Sequence, residues 1–82
     1  MIDNKILHSW ITNKSRVLDL GCGDGKILCS LKTQNEIDGY GFEIDPKHIE
    51  ACISKGVNVI EYDLNTGLEN IKDKSFDYII MS

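Results

Sequence analysis

The sequence holds a single proline, Pro46, and a single tryptophan, Trp10, and no apolar run approaching the roughly 20 residues of a bilayer-spanning helix. A membrane-spanning segment is therefore not expected. The amino terminus, Met1-Ile2-Asp3-Asn4-Lys5, has neither the basic segment nor the uninterrupted apolar stretch of a secretory signal, so the expected compartment is the cytoplasm. The three cysteines, Cys22, Cys29 and Cys52, form no C-x-x-C pair. They are too few and too scattered for a disulfide framework or a metal centre, and read as reduced thiols used as small apolar side chains. Positive charge is also scarce, with 9 Lys and Arg against 13 Asp and Glu, a net charge of −4, and the basic residues scattered. Nucleic-acid binding ordinarily needs a clustered basic face for phosphate contacts, so no direct nucleic-acid partner is expected. His8 and His48 stand far apart, each without a constellation of chemical partners nearby, and read as surface or helix-end residues.

What is present describes a folded α/β chain. Hydrophobic residues make up 41% and charged residues 27% of the 82 positions, ordinary proportions for a globular protein. Ile2, Ile6, Leu7 and Trp10 recur at helical spacing and predict a short amphipathic helix with Asp3 near its start. Arg16-Val17-Leu18-Asp19-Leu20 is a compact apolar run, the pattern of a strand buried on both faces. A glycine cluster follows, then a helix marked by Ile27, Leu28 and Leu31 and closed by the polar Thr33-Gln34-Asn35. Tyr40 to Ile44 predicts a second strand. Asp45-Pro46 opens a third helix with Asp as N-cap and Pro at its first position; Ile49, Cys52 and Ile53 supply its buried face and Gly56 its stop. Val57 to Tyr62 predicts a third strand, Asn65-Thr66-Gly67 a turn, Leu68 to Ile71 one helical turn, and Phe76 to Met81 a fourth strand. Such alternation implies a parallel sheet with right-handed crossovers. Doubly wound sheets usually carry five or more strands, so residues 1–82 read as a single incomplete domain, the amino-terminal part of a longer chain.

Open α/β sheets bind ligands outside the carboxyl ends of their strands, and three segments converge there. The first strand runs into Gly21-Cys22-Gly23-Asp24-Gly25, the second ends at Glu43 and the third at Asp63. Glycines allow the positive φ of a tight strand-to-helix turn and let a ligand approach the backbone. Their spacing is not that of a dinucleotide fingerprint, where the third glycine would stand at Lys26, and no G-x-x-x-x-G-K-[ST] string occurs. The acids Asp19 and Asp24 would repel a pyrophosphate and suit a cationic ligand, which disfavours a nicotinamide-dependent oxidoreductase. Glu43 follows Gly25 by 18 residues, near the spacing of a carboxylate that accepts ribose hydroxyls. Asp63 is positioned to meet the exocyclic amine of an adenine, and Ile44 to offer an apolar face to the base.

Val17 to Gly25 resembles motif I of the class I S-adenosylmethionine-dependent methyltransferases, Gly41-Phe42-Glu43-Ile44-Asp45 their second motif, and Phe76 to Ile80 their fourth strand. More narrowly, Arg16 to Gly25, Gly39 to Pro46 and Ala51 to Ile60 together resemble the methionine biosynthesis protein MetW family. The resemblance implies a Rossmann-like class I methyltransferase fold, here its amino-terminal part with parallel strands in order 3-2-1-4 and the carboxyl-terminal strands absent. It also implies S-adenosyl-L-methionine or S-adenosyl-L-homocysteine as cofactor. Gly21 and Gly23 would then pass the methionyl part, and Asp19 would support the loop and orient the amino group. Glu43 would bind the ribose hydroxyls, Ile44 would line the adenine pocket, and Asp63 with Leu64 would meet the adenine edge. No catalytic residue is assigned, because the acceptor pocket of that superfamily draws on residues beyond the fourth strand. The family's association with a homoserine O-acyltransferase implies that enzyme as a partner, and makes a non-catalytic regulatory or scaffold subunit the alternative to a methyltransferase. The fourth strand, Phe76 to Met81, would be an apolar edge open to self-association.

Overall fold

Arg16–Leu20 forms the central strand, β1, of a four-stranded parallel sheet in the computed structural model, which describes residues 4–67 and 76–81. Helix α1 (Asn4–Trp10) precedes it, followed by α2 (Lys26–Asn35), β2 (Asp38–Glu43), α3 (Pro46–Ser54), β3 (Asn58–Glu61), a 3-10 turn over Leu64–Thr66, and β4 (Tyr78–Met81). The strand order is β3-β2-β1-β4, as expected, and the register sets Leu18 beside Tyr40 and Ile79, and Leu20 beside Phe42 and Met81.

Alternation along β1 sends Val17 and Asp19 to one face and Leu18 and Leu20 to the other. The first face meets the helices: Leu7 and Ile11, Leu28 and Leu31, and Cys52 close over Val17 in one core. On the second, Leu18, Leu20 and Phe42 pack with the rings of Tyr40, Tyr62 and Phe76. Among the described residues, that second cluster draws on strands and loops alone.

Helix boundaries follow local chemistry. The Asp45 side chain accepts the Lys47 N–H at 2.9 Å with Pro46 at the first position of α3, and Gly56, at φ 73°, stops that helix. The second and third strands are displaced from expectation: β2 begins at Asp38 and ends at Glu43, and β3 covers only Asn58–Glu61. Phe76 lies outside β4, which begins at Tyr78. Asp3 and the helical turn expected over Leu68 to Ile71 fall outside the described residues.

Two predicted faces need correction. Leu7 and Ile11 are buried, whereas Ile6 and Trp10 are exposed. Both pairs have i,i+4 spacing, and packing on α2 selects the first. On α3, Cys52 is fully buried but Ile53 is exposed, so that helix touches the sheet along a narrower stripe than its apolar residues suggest.

The α1–α2 seam is polar as well as apolar. Asn35, buried at the end of α2, donates from Nδ2 to the carbonyls of His8 and Ile11, each at 2.9 Å, and its Oδ1 meets His8 Nδ1. His8 Nε2 lies 2.8 Å from Ser30 Oγ. His8 is at a helix end, as expected, but has partners there: it is a half-buried link between two helices.

Candidate functional site

The turn after β1 is hooked to the end of β2. The N–H groups of Gly21 and Cys22 both donate to the Phe42 carbonyl, at 2.8 and 3.0 Å. Gly21, Gly23 and Gly25 have φ of 72°, 58° and 81°, the left-handed region that side chains rarely enter. Their surroundings separate their roles. A Cβ on Gly21 or Gly23 would project into open space, whereas one on Gly25 would stand 2.9 Å from Cys52 Sγ and 3.3 Å from Val57 Cγ2. Gly25 therefore serves close packing of the loop on α3, while Gly21 leaves its outer side clear for a ligand.

Glu43 is the centre of the arrangement. Its Oε1 accepts the Gly23 N–H at 2.7 Å, and its Oε2 accepts those of Ile44 and Asp45, both at 3.1 Å. His48 Nδ1 stands 3.6 Å from Oε2. Burial alone would raise the Glu43 carboxyl pKa, but the backbone donors of Asp45, Gly23 and Ile44, with His48, outweigh it and hold the group below the usual carboxylate range. Two carboxylate oxygens offer about four acceptor positions, so three backbone donors leave capacity for a ligand hydroxyl.

A cavity of about 190 Å³ opens beside this carboxylate, lined by Gly21, Phe42, Glu43, Ile44, Tyr62, Asp63, Leu64 and Asn65. Five of the seven residues singled out from the sequence line it: Gly21, Glu43, Ile44, Asp63 and Leu64. Ile44 and Leu64 remain 51% and 37% exposed, two large apolar side chains held at the rim of one cavity where a flat apolar group would cover them. Asp63 lies beyond the end of β3, and its Oδ1 accepts the Asn65 N–H at 2.9 Å, capping the 3-10 turn and orienting the carboxylate. Phe42 and Tyr62, with ring centroids 4.7 Å apart, form the floor and were not anticipated as lining residues. The signal was their position at the carboxyl ends of β2 and β3.

The other two expected residues do not line this cavity. Gly23 sits behind Glu43 as its donor, and Asp19 is fully buried on the helix-side face. Asp24 does not line the cavity either. Its Oδ1 accepts the Lys26 N–H, and Lys55 Nζ stands 3.8 Å from its Oδ2 and donates to its carbonyl at 3.1 Å. The acids at the cavity are Glu43 and Asp63. His48, expected to lack chemical neighbours, sits at the start of α3 facing Glu43 and Asp45, a contact made by a helical turn immediately after β2.

Comparison with known proteins bears on the family and the fold. The family model described as "Methionine biosynthesis protein MetW" matches residues 1–82. A curated relative, the bifunctional methionine biosynthesis protein MetXA/MetW of Rhodopirellula baltica, is 34% identical over 89 residues, covering 99% of this chain and 14% of the relative. Among solved structures, a TehB-like SAM-dependent methyltransferase from Corynebacterium glutamicum is 25% identical with a TM-score of 0.80, over 96% of this chain and 42% of that one. A SAM-dependent methyltransferase from Geobacter sulfurreducens, solved with S-adenosyl-L-homocysteine, is also 25% identical, with a TM-score of 0.66 over 82% of this chain and 31% of its own. The chain thus spans less than half the length of each of these relatives. The sheet order and flanking helices are those of a partial Rossmann-like methyltransferase fold.

Proposed function

This chain belongs to the methionine biosynthesis protein MetW family, and we propose that it binds S-adenosylmethionine or S-adenosylhomocysteine in the cavity beside Glu43. The observation that carries this reading is the cavity's composition: a carboxylate with spare acceptor capacity, two exposed apolar side chains and a glycine whose outer side is clear. In this reading Glu43 accepts a ribose hydroxyl at its remaining acceptor position, Ile44 lines the adenine pocket, and Asp63 with Leu64 meets the adenine edge. Gly21 and Gly23 shape the passage for the methionyl part, and Asp19 supports the loop from within. The cofactor would supply an electrophilic methyl group, and this chain's contribution would be binding and alignment.

Whether the intact protein transfers a methyl group or acts as a regulatory or scaffold subunit turns on its partner. A homoserine O-acyltransferase is the partner we propose, supported by the Rhodopirellula relative, whose name joins MetXA and MetW in one chain. For residues 1–82 by themselves we also propose self-association through β4, where Ile79 and Met81 are exposed.

Calorimetric titration of the intact protein with S-adenosylmethionine, S-adenosylhomocysteine and NAD tests the binding reading. The sulfur nucleosides should bind and NAD should not; absence of nucleoside binding up to about millimolar concentration would reject it. Pull-down with the acyltransferase, with and without nucleoside, followed by a methyl-transfer assay of the complex, separates enzyme from subunit.

A further inference from the structure

We propose that Cys22 and Cys52 form a site of reversible oxidative modification, a disulfide that fastens the glycine loop to α3 and weakens ligand binding at the adjoining cavity. Thirty residues apart in sequence, the two Sγ atoms lie 3.7 Å apart, and both side chains are buried. The thiols are free. Cys52 Sγ also donates to the Gly23 carbonyl at 3.2 Å, so one sulfur touches the loop backbone while the other belongs to it. Cys29, the third thiol, is half-buried on α2 and absent from this contact.

A disulfide needs an S–S distance of about 2.05 Å, so the sulfurs must approach by roughly 1.7 Å. Helix α3 is fixed at its start by the Asp45 cap and Pro46. Cys22 lies between Gly21 and Gly23, whose backbone freedom makes the loop the more deformable side. Drawing Cys22 toward α3 disturbs the Gly23 N–H that Glu43 holds at 2.7 Å and the Gly21 wall of the cavity. The coupling to ligand binding rests on the cofactor reading above; the disulfide itself does not.

With a low-molecular-weight disulfide such as oxidised glutathione, one cysteine attacks as thiolate, joins one glutathione sulfur and releases the other as a thiol. The second cysteine then attacks the protein sulfur of that mixed disulfide and releases the second glutathione thiol. One S–S bond is broken and one formed, and two electrons and two protons pass from the protein pair to the oxidant. Burial, then the shared thiol contact, push Cys22 up to about 12, and burial raises Cys52 as well. Attack therefore requires the loop to open first, and the reaction is slow while the site stays closed.

Oxidation of the intact protein with excess oxidised glutathione, followed by peptide mapping under non-reducing conditions, should give a Cys22–Cys52 linked pair. Affinity for S-adenosylhomocysteine should fall by about tenfold or more, and dithiothreitol should restore it. Cys52→Ala and Cys22→Ala, each checked for native circular dichroism, should lose the linked pair, whereas Cys29→Ser should keep it. Recovery of Cys22 and Cys52 only as thiols or glutathione adducts overturns the proposal, as does a linkage through Cys29. A mapped disulfide with unchanged nucleoside affinity overturns the coupling to the cavity. If the reduced protein binds no nucleoside, the cofactor reading fails, and the peptide map alone decides the modification site.

Discussion

The Glu43 carboxylate accepts the Gly23 N–H at 2.7 Å, so the side chain assigned to the ribose also joins the end of β2 to the glycine loop. Removing it should have two effects of different size. Glu43→Ala leaves the donors of Gly23, Ile44 and Asp45 without their acceptor and should cost about 1.5–3 kcal/mol of stability, the range for a hydrogen-bonded charged group. Glu43→Gln keeps the shape and one acceptor oxygen but turns an NH2 toward at least one backbone N–H, so it should destabilise by a comparable amount. Both should weaken S-adenosylhomocysteine binding by about tenfold or more. Paired urea unfolding and calorimetry check this, and unchanged affinity in a folded Glu43→Gln protein removes the ribose assignment.

The same contacts set a pH dependence. The Glu43 carboxyl has a lower pKa in the folded state than the unfolded value of about 4.3. Its contribution to stability is therefore fully present above that unfolded value and is lost as pH falls through the folded pKa, because the unfolded chain binds the proton first. Wild-type stability should drop more steeply below about pH 4 than that of Glu43→Gln. Thermal unfolding at stepped acidic pH measures the difference, and parallel curves would count against the carboxylate's role in the loop.

The loop glycines should separate binding from folding. Alanine at Gly21 or Gly25 meets a left-handed backbone, a cost of roughly 1–2 kcal/mol, but only at Gly25 does the added Cβ meet Cys52 Sγ at 2.9 Å. Gly25→Ala should therefore lower Tm further than Gly21→Ala, where each kcal/mol corresponds to about 4–8 °C in a domain of this size. Gly21→Ala should lose nucleoside affinity beyond what its stability change explains. Equal Tm losses would contradict the packing role of Gly25.

How much of this was legible in the sequence depends on how local the cause is. The limits of β1, the Asp45-Pro46 start of α3 and the Gly56 stop follow from neighbouring residues alone. The strand order came through family resemblance, since the periodicity of Tyr40 to Ile44 does not say which strand lies beside it. The buried face of α1 was not legible, because Ile6 with Trp10 and Leu7 with Ile11 offer rival stripes that only the partner helix can choose between. Nor was the burial of Asn35, whose three partners lie 24 to 27 residues away. At the cavity, carboxylates at strand ends were visible as types and positions. That Asp24 would turn to Lys55, while Phe42 and Tyr62 form the floor, depends on the packing of α3 and the course of β3.

Asn35 gives a control remote from the cavity. Its amide supplies the donors for the His8 and Ile11 carbonyls and the acceptor for His8 Nδ1. Asn35→Ala should therefore lose about 2–3 kcal/mol, since buried groups left unpaired cost about 1–3 kcal/mol each and relaxation recovers part. Nucleoside affinity, measured well below the melting transition, should stay within about twofold of wild type. A large affinity loss with normal stability would mean that the α1–α2 seam is coupled to the ligand cavity.

Strand β4 should govern self-association. Among the described residues it pairs with β1 alone, and Ile79 and Met81 are 48% and 69% exposed on the face that carries Leu18 and Leu20. A strand edge presents unpaired backbone donors and acceptors to another chain, and exposed apolar side chains stabilise the contact. A lysine at such an edge opposes pairing by carrying charge into the interface. Sedimentation velocity of the 82-residue chain should show concentration-dependent association, and Ile79→Lys should shift it toward monomer without altering its circular dichroism. The mutated side chain lies on a strand that contributes no lining residue to the 190 Å³ cavity, so nucleoside affinity should change little. A wild-type chain that sediments as a monomer across the concentration range would refute association through β4, and association that persists unchanged in Ile79→Lys would place the contact elsewhere, with the exposed Trp10 and Ile6 of α1 the next surface to substitute.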